Sequence, residues 1–427
     1  METAPSPVAA TLKTISEGTS TPEETAFAAL TRANGNASAN TYIALDPEWS
    51  MEQARGRIAQ PGNGLLYGLP VALKDCFDLQ GFVTSSGSRF YARHLPAAAE
   101  DSWVAARLKA AGAVITGKTH LHQLAYGITG ENRDYGNCLQ PNDANLLTGG
   151  SSSGSAAAVQ EGSALAAIGT DTGGSVRAPA ALCGLAGYRA SLGVGDWRGG
   201  AHLAQSFDTI GWLCRDLRDL PLLARALFDI DAAGMRSQLR VGCLRRGLLE
   251  GCDASVLEAM GLWEERMRRA GAAVGDLHAD FWTEAYSIYA PIQAREASSL
   301  HAGFYDEFEP AIAERLRWGA AMAVAEVEEW REKHRTFVTK TAELFAGFDF
   351  LLLPVMPIPS LPQAADHSIS RAKILPYTTP ASLAGLPTVV LPARPVGMQL
   401  LAARGRDAEL LSVARAMGEA LAREDAS

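Results

Sequence analysis

Short, wholly apolar runs alternate along the chain with longer stretches in which apolar residues recur at helical spacing. The runs "FDFLLLPVMP" and "PTVVLP" end in prolines, as strands buried on both faces of a sheet do. The stretch after "LRVGCL" instead places Val256, Met260, Trp263 and Met267 on one helical stripe. Strands that alternate with helices predict an α/β layer architecture with a largely parallel or mixed sheet.

The ends of several helices can be predicted from residue type. Residues 19–33 combine Ser or Thr, Pro and two glutamates in the order typical of a helix start. In the next helix, Asp101 or Ser102 is the expected cap, and Gly112 ends it. No linker is long or polar enough to divide the chain convincingly. We therefore expect a disordered N-terminal tip over residues 1–8 and a single domain over residues 9–427.

Composition and charge narrow the classes of partner. The 427 residues are 47% hydrophobic and 20% charged, and the net charge of −9 is spread without a Lys/Arg-rich block, so no nucleic-acid partner is expected. The N-terminus lacks a signal-peptide core, and no run approaches the ~18 apolar residues of a membrane span. The six cysteines form no C-x-x-C pair. Reduced thiols and a cytoplasmic location are expected.

Two glycine-serine turns lie close together, "TGGSSSGSA" at residues 148–156 and "TDTGGSVR" shortly after it. In the second, an apolar strand ends near Thr170, and a short helix follows the turn. Glycines at 173 and 174 allow consecutive backbone N–H groups to point into one space at a helix N-terminus, which suits an anion. If the hydroxyl of Ser175 attacks a carbonyl there, the N–H groups of Thr172, Gly173, Gly174 and Ser175 become candidate oxyanion donors.

A nucleophilic serine needs a base. None of the eight histidines lies in a distinctive setting, and no G-x-S-x-G elbow occurs. Lys74 leaves the apolar run "LPVAL", and burial would lower the pKa of its amine until it could accept a proton. Ser151 would then relay a proton between Ser175 and Lys74. Asp171 is expected to point away from the anion site, toward the backbone or Arg177.

Simpler interpretations of the same residues remain open at this point. The first turn has the composition of a flexible linker, and Ser175 has the residue type of a helix cap. A metal site built from His120, His122, Glu131 and Asp134 lacks a full ligand pattern, so we expect no metal and no cofactor. Cys138 and Cys183 have no paired histidine, and we interpret them as small buried residues.

The run "GGSSSGSAAAVQEGSALAAIGTDTGGSVRAPAALCG" resembles the amidase signature family, which uses Ser–cisSer–Lys catalysis. Lys74 matches the family's "P-x-x-x-K-D" through "LPVALKD". Ser151 matches its bridging serine, held by a cis peptide bond, and Ser175 matches the nucleophile of "T-D-x-G-G-S". The resemblance implies one α/β domain with a twisted mixed β-sheet of about eleven strands, covered by helices on both faces, and a signature core at about 66–215. It also covers residues 117–137, 206–212, 351–357 and 383–392.

The same resemblance implies an amidohydrolase that converts a linear carboxamide to a carboxylic acid and ammonia or an amine through an acyl-enzyme on Ser175. The chain is similar to the plant-type indole-3-acetamide hydrolase branch, which favours a small aryl-acetamide or aliphatic amide. The alternatives are an allophanate or ureido-type amidase and a glutaminase-like subunit of an amidotransferase. A small-molecule substrate and a possible homodimer are the implied partners.

The resemblance also suggests which residues bind substrate. The segment "HLHQLAYGITGEN" is expected to line the acyl pocket. Relatives that act on acidic half-amides have an arginine three residues after the nucleophile, whereas this chain has Ala178. No clamp for a substrate carboxylate is therefore expected. The candidate substrate-binding residues are Tyr126, Gly127, Ile128, Thr129 and Gly149.

Overall fold

The computed structural model describes residues 3–59, 62, 64–234 and 238–424. Within these residues the strands are β1 (Tyr42–Ala44), β2 (Pro70–Lys74), β3 (Val114–Thr119), β4 (Leu139–Gln140), β5 (Asp143–Leu147), β6 (Ala166–Thr170), β7 (Ala186–Arg189), β8 (Ile210–Cys214), β9 (Arg240–Leu244), β10 (Ala273–Leu277), β11 (Phe350–Pro354), β12 (Thr388–Leu391) and β13 (Met398–Ala402). The α-helices are α1 (Pro7–Ser16), α2 (Pro22–Gly35), α3 (Pro47–Ala59), α4 (Arg89–His94), α5 (Trp103–Ala110), α6 (Ser153–Glu161), α7 (Arg177–Leu182), α8 (Leu220–Phe228), α9 (Ala254–Arg269), α10 (Ala285–Leu300), α11 (Pro310–Ala321), α12 (Val324–Leu344), α13 (Ser370–Leu383) and α14 (Asp407–Glu424).

Eleven of these strands form one mixed sheet in the order β1-β3-β2-β6-β8-β7-β12-β13-β11-β9-β10. Strands β3, β2 and β6 are parallel to one another, and so are β11, β9 and β10. The strands between these two groups pair antiparallel. The predicted mixed α/β sheet is confirmed, and the short pair β4–β5 lies outside it.

The apolar runs form the buried centre of this sheet. Every residue of β2, β6, β11 and β12 is buried, as expected for strands covered on both faces. On α9, the predicted stripe of Val256, Met260, Trp263 and Met267 is buried in the main core cluster. None of the helices in the described ranges combines the length and hydropathy needed to cross a bilayer.

The N-terminal segment differs from its expectation, because α1 begins at Pro7 and Val8 is fully buried. Proline suits the first position of a helix, and Ser6 caps it by accepting a hydrogen bond from the N–H of Ala9. The hydroxyl of Ser6 and the N–H of Val8 both donate to the carboxylate of Asp219. The predicted disordered tip of residues 1–8 is therefore too long, and Met1 and Glu2 lie outside the described residues.

The predicted start of α2 is a complete capping box. The N–H of Glu24 donates to Oγ1 of Thr21 at 3.2 Å, and the N–H of Thr21 donates to Oε2 of Glu24 at 2.9 Å. We expect Thr21→Ala to lower the free energy of unfolding by about 1 kcal/mol, because one helix N–H loses its acceptor. Urea denaturation followed by circular dichroism measures this change. Thr31→Ala, in the interior of the same helix, is the matched control and should cause no loss.

Candidate active site

Lys74 and Thr170 are brought together by strand pairing. They are the last residues of β2 and β6, which are adjacent and parallel, so both lie at the carboxyl edge of the sheet. Open α/β sheets place their ligand sites at this edge. The sequence predicts that Lys74 turns inward at the end of its strand, and its side chain is indeed fully buried.

Three hydroxyl groups surround the amine of Lys74. Its Nζ lies 2.8 Å from Oγ of Ser151, 3.0 Å from Oγ of Ser152 and 2.7 Å from Oγ1 of Thr170. Burial lowers the pKa of Lys74 to about 8, against the opposing effects of Cys76 and Asp171. A neutral amine donates two of these hydrogen bonds and accepts the third from a hydroxyl. The site is therefore suited to a lysine that takes up a proton.

The two glycine-serine turns lie against each other. The peptide bond between Gly150 and Ser151 is cis. The N–H of Ser152 donates to the carbonyl of Ser175 at 3.1 Å, and this bond ties the first turn to the second. The hydroxyl of Ser175 forms no hydrogen bond to any residue that the structure describes. Lys74, Ser151 and the Ser175 turn are thus assembled in one place, which excludes a flexible linker at residues 148–156.

Asp171 fixes the second turn. Its carboxylate accepts hydrogen bonds from the N–H groups of Gly174 and Val176 and from both buried arginines, Arg177 and Arg189. Burial alone would raise the pKa of Asp171, but the two guanidinium groups hold it well below its usual range. The carboxylate stays ionised and faces the arginines, away from the anion site, as predicted.

One of the four predicted oxyanion donors, the N–H of Gly174, has another acceptor in the structure. The N–H of Gly174 donates to Oδ1 of Asp171 at 2.9 Å, because the turn closes on the carboxylate that precedes it. The N–H groups of Thr172, Gly173 and Ser175 have no acceptor within the described part of the chain. These three remain the candidate donors, and the hydroxyl of Thr172 is held by Asp208 at 2.7 Å.

A cavity of about 290 Å³ lies beside the first turn. Three of the predicted substrate-binding residues, Gly127, Ile128 and Thr129, line it. This wall of the cavity is hydrogen-bonded to the first turn, residues 148–156. The carbonyl of Ile128 accepts from the N–H of Gly150 at 2.7 Å, and the N–H of His122 donates to the carbonyl of Ser151. A larger cleft of about 810 Å³, around Trp263 and Arg394, contains none of the predicted site residues.

The other two predicted pocket residues lie behind the wall. Tyr126 is buried, and its ring faces the guanidinium groups of Arg315 and Arg371 at 4.7 and 5.3 Å. Gly149 has a φ of +78° and packs against Leu182, where a Cβ would lie 2.7 Å from a methyl group. Neither residue lines the cavity. Tyr126 contacts the two arginines and Gly149 forms part of the first turn, so neither residue contacts the open space.

Several residues of the site are absent from the sequence-based prediction. Arg315 on α11 and Arg371 on α13 line the same cavity. The hydroxyl of Tyr289 on α10 lies against Gly173, since a Cβ on that glycine would come within 2.5 Å of it. Nothing in the local pattern marks these residues, because each lies on a helix far in sequence from the two glycine-serine turns.

The histidine-acid set considered as a metal site is dispersed. His120 bonds to the carbonyl of Gly136, while Asp134 accepts from Gln123 and from the N–H of Arg89. Across residues 3–59, 62, 64–234 and 238–424, no three His, Cys, Asp or Glu side chains are grouped as metal ligands.

Known proteins are similar to this chain in sequence and in fold. Residues 24–411 match the Amidase family. A glutamyl-tRNA(Gln) amidotransferase subunit from Anaeromyxobacter sp. (strain K) is 31% identical over 434 residues, covering 88% of each chain. AtzE, the 1-carboxybiuret hydrolase subunit of Pseudomonas sp. (strain ADP), is 33% identical over 388 residues, covering 83% of each.

Solved structures of similar fold support the same family assignment. A crystal structure of an amidase has a TM-score of 0.89 at 30% identity, over 97% of this chain and 99% of that chain. A chain from a structure of a vestigial protein complex, described as revealing the evolutionary origins of an s-triazine catabolic enzyme, has a TM-score of 0.87 at 27% identity, over 97% of this chain and 98% of the other. The chain therefore belongs to the amidase family and is a hydrolase that acts on amide C–N bonds.

The pH dependence of hydrolysis tests the state of Lys74. Because only the neutral amine accepts a proton and its pKa is about 8, we expect kcat/KM to fall about tenfold per pH unit below that value and to level off above it. A pH–rate profile measures this. Glu309 is a second group in the cavity, with a pKa raised to about 7 by burial, so the profile is repeated with Glu309→Gln. If the fall of kcat/KM at low pH disappears in this variant, the titrating group is Glu309, and the assignment to Lys74 is contradicted.

Proposed function

We propose that this chain hydrolyses a small linear carboxamide through an acyl-enzyme on Ser175, with Ser151 as proton relay and Lys74 as base. The observation that supports it most strongly is the buried amine of Lys74 at 2.8 Å from the hydroxyl of Ser151, in a turn bonded to Ser175. An amine of ordinary pKa on the protein surface would stay protonated at neutral pH and could not act as a base.

In the first half-reaction, Oγ of Ser175 attacks the amide carbonyl. Its proton passes to Oγ of Ser151, which gives its own proton to Nζ of Lys74. The N–H groups of Thr172, Gly173 and Ser175 receive the tetrahedral oxyanion. The proton then returns through Ser151 to the leaving nitrogen, and the C–N bond breaks to release ammonia or an amine.

In the second half-reaction, water replaces the amine. Lys74 and Ser151 take a proton from the water, whose oxygen attacks the ester carbonyl of the acyl-enzyme. The second tetrahedral oxyanion occupies the same donors. Its collapse releases the carboxylic acid, and Ser175 regains its proton from Ser151. The same three side chains thus serve both steps, with water as the second substrate.

Substitution of Ser175 tests the nucleophile. We expect Ser175→Ala to lower kcat by at least about a thousandfold on any amide that the enzyme hydrolyses, because no acyl-enzyme can form. Ammonia release measures the rate. Ser153→Ala is the matched control, since the hydroxyl of Ser153 makes only a 3.4 Å bond to the carbonyl of Ser151.

Covalent labelling gives an independent measure of the same role. A phosphonyl fluoride should add to Ser175 in the wild-type protein and not in Lys74→Ala, as intact mass and peptide mapping would show. A label on another serine, or substantial turnover by Ser175→Ala, would contradict the proposed mechanism.

We also propose that the chain is active without a second type of subunit and works in the cytoplasm. A relative named as part of an amidotransferase favours the alternative of a glutaminase-like component of a complex. This chain has the complete set of Lys74, Ser151 and Ser175 with a cavity beside it, which supports activity without a second type of subunit. All six cysteines are free thiols, which supports the cytoplasmic location.

Activity of the purified chain decides between these alternatives. We expect ammonia release from an amide by the isolated protein, at a rate unchanged by lysate of the source cells. Size-exclusion chromatography of the active fraction shows whether a homodimer carries the activity. An isolated chain that is folded but active only after a partner is added would favour the subunit role.

A further inference from the structure

The cavity beside the catalytic turn holds an unusual number of polar atoms without a partner. Nε of Arg315, Nε of Arg371 and Nδ1 of His122 are all buried, and none has a hydrogen-bond partner among the described residues, while Oε1 of Glu309 lies 3.6 Å from Nε2 of His122. Buried polar groups without partners are costly and rare in folded proteins. Three such atoms around one space indicate a polar ligand that completes their hydrogen bonds.

The cavity is lined by two guanidinium groups and three carboxyl groups. Neither Arg315 nor Arg371 forms an ion pair with any residue in the described ranges. Burial and the neighbouring Arg371 lower the pKa of Arg315 to about 10, so it remains a cation at neutral pH. The carboxylates of Glu131 and Asp366 accept hydrogen bonds from Thr129 and Ser368, and burial raises the pKa of Glu309 to about 7, so that this group is partly neutral at neutral pH.

Both guanidinium groups are fixed in place before a ligand arrives. Arg315 donates to the carbonyl of Tyr126 at 2.7 Å. Arg371 donates to Oε1 of Gln293 at 2.6 Å, and this orients the amide of Gln293 so that its Nε2 donates to the hydroxyl of Tyr289. Because these contacts use the terminal nitrogens, each Nε–H stays free. A pre-organised pair of this kind binds a carboxylate at a low entropic cost.

The same contacts link the arginines to both halves of the catalytic site. Through Gln293 and Tyr289, Arg371 is connected to Gly173, one of the oxyanion donors. Through the segment 126–128, Arg315 is connected to the peptide that precedes Ser151. The two arginines are thus linked by contacts to both turns of the proposed catalytic site.

We propose that Arg315 and Arg371 bind a carboxylate on the acyl side of the substrate, so that the enzyme selects amides of dicarboxylic or ureido acids over neutral amides. This inference rests on the proposed role of Ser175. It replaces the aryl-acetamide favoured by the sequence resemblance with an acidic substrate. The two arginines, which we call the clamp, lie on α11 and α13. The sequence predicts no arginine for a substrate carboxylate, because Ala178 stands three residues after Ser175.

Binding to the Ser175→Ala variant tests this selection without turnover. The probes are succinamate and butyramide, which have the same chain length and amide but differ in the terminal carboxylate. By isothermal titration calorimetry, we expect succinamate to bind with at least about a tenfold lower Kd than butyramide, which corresponds to about 1.4 kcal/mol. Equal or weaker binding of succinamate would overturn the proposal.

Substitution of each arginine of the clamp is the second test of the proposal. In the Ser175→Ala background, Arg371→Gln and, separately, Arg315→Gln should each reduce the preference for succinamate over butyramide by at least about tenfold. The matched control is Arg317→Gln, since Arg317 lies on the same helix, is exposed and pairs with Asp306. It should keep the full preference. A preference that survives both clamp variants would also overturn the proposal.

The two proposals fail in different ways. If the wild-type enzyme hydrolyses amides but shows no preference for acidic ones, the clamp is wrong and the mechanism stands. If the acidic probe binds through the arginines but Ser175→Ala leaves turnover intact, the nucleophile is wrong and the binding site stands.

Discussion

The whole site depends on one energetic conflict, the burial of an amine that would be charged in water. An isolated buried ammonium is expensive, and the protein meets this cost by placing Lys74 among three hydroxyl oxygens and by lowering its pKa. Two of these oxygens belong to Ser151 and Ser152 in one turn, and the third belongs to the neighbouring strand. The packing that buries the lysine therefore also positions the relay.

A second conflict, of opposite sign, fixes the nucleophile's turn. Asp171 is a buried carboxylate one residue before the candidate oxyanion donors, where negative charge would oppose the reaction. Arg177 and Arg189 neutralise it, and the carboxylate in turn accepts the N–H groups of Gly174 and Val176. A removed partner would leave a buried charge unpaired, which is among the costlier defects in a core. The turn that holds Ser175 is therefore rigid before substrate binds.

Beyond these two clusters, the cavity is assembled from elements distant in sequence. Gly127 to Thr129 form the wall that touches the cis turn, while α11 and α13 supply the guanidinium groups opposite it. The proposed chemistry thus resides in two neighbouring turns, and the proposed recognition of substrate resides in helices far from them in sequence. This separation is consistent with one catalytic apparatus serving relatives of different named activities.

The sequence by itself determined the mixed sheet and suggested the groups that we propose to react. Alternating apolar runs predicted the mixed sheet, and the positions of Lys74, Ser151 and Ser175 followed from local motifs, because backbone turns and strand ends are encoded by neighbouring residues. Only the tertiary structure decided the rest: that Asp171 takes the N–H of Gly174, that α1 begins within the expected tip, and that Arg315 and Arg371 meet over Tyr126. Those contacts join residues whose own surroundings in sequence are unremarkable, and only the packing of helices against one another brings them within reach.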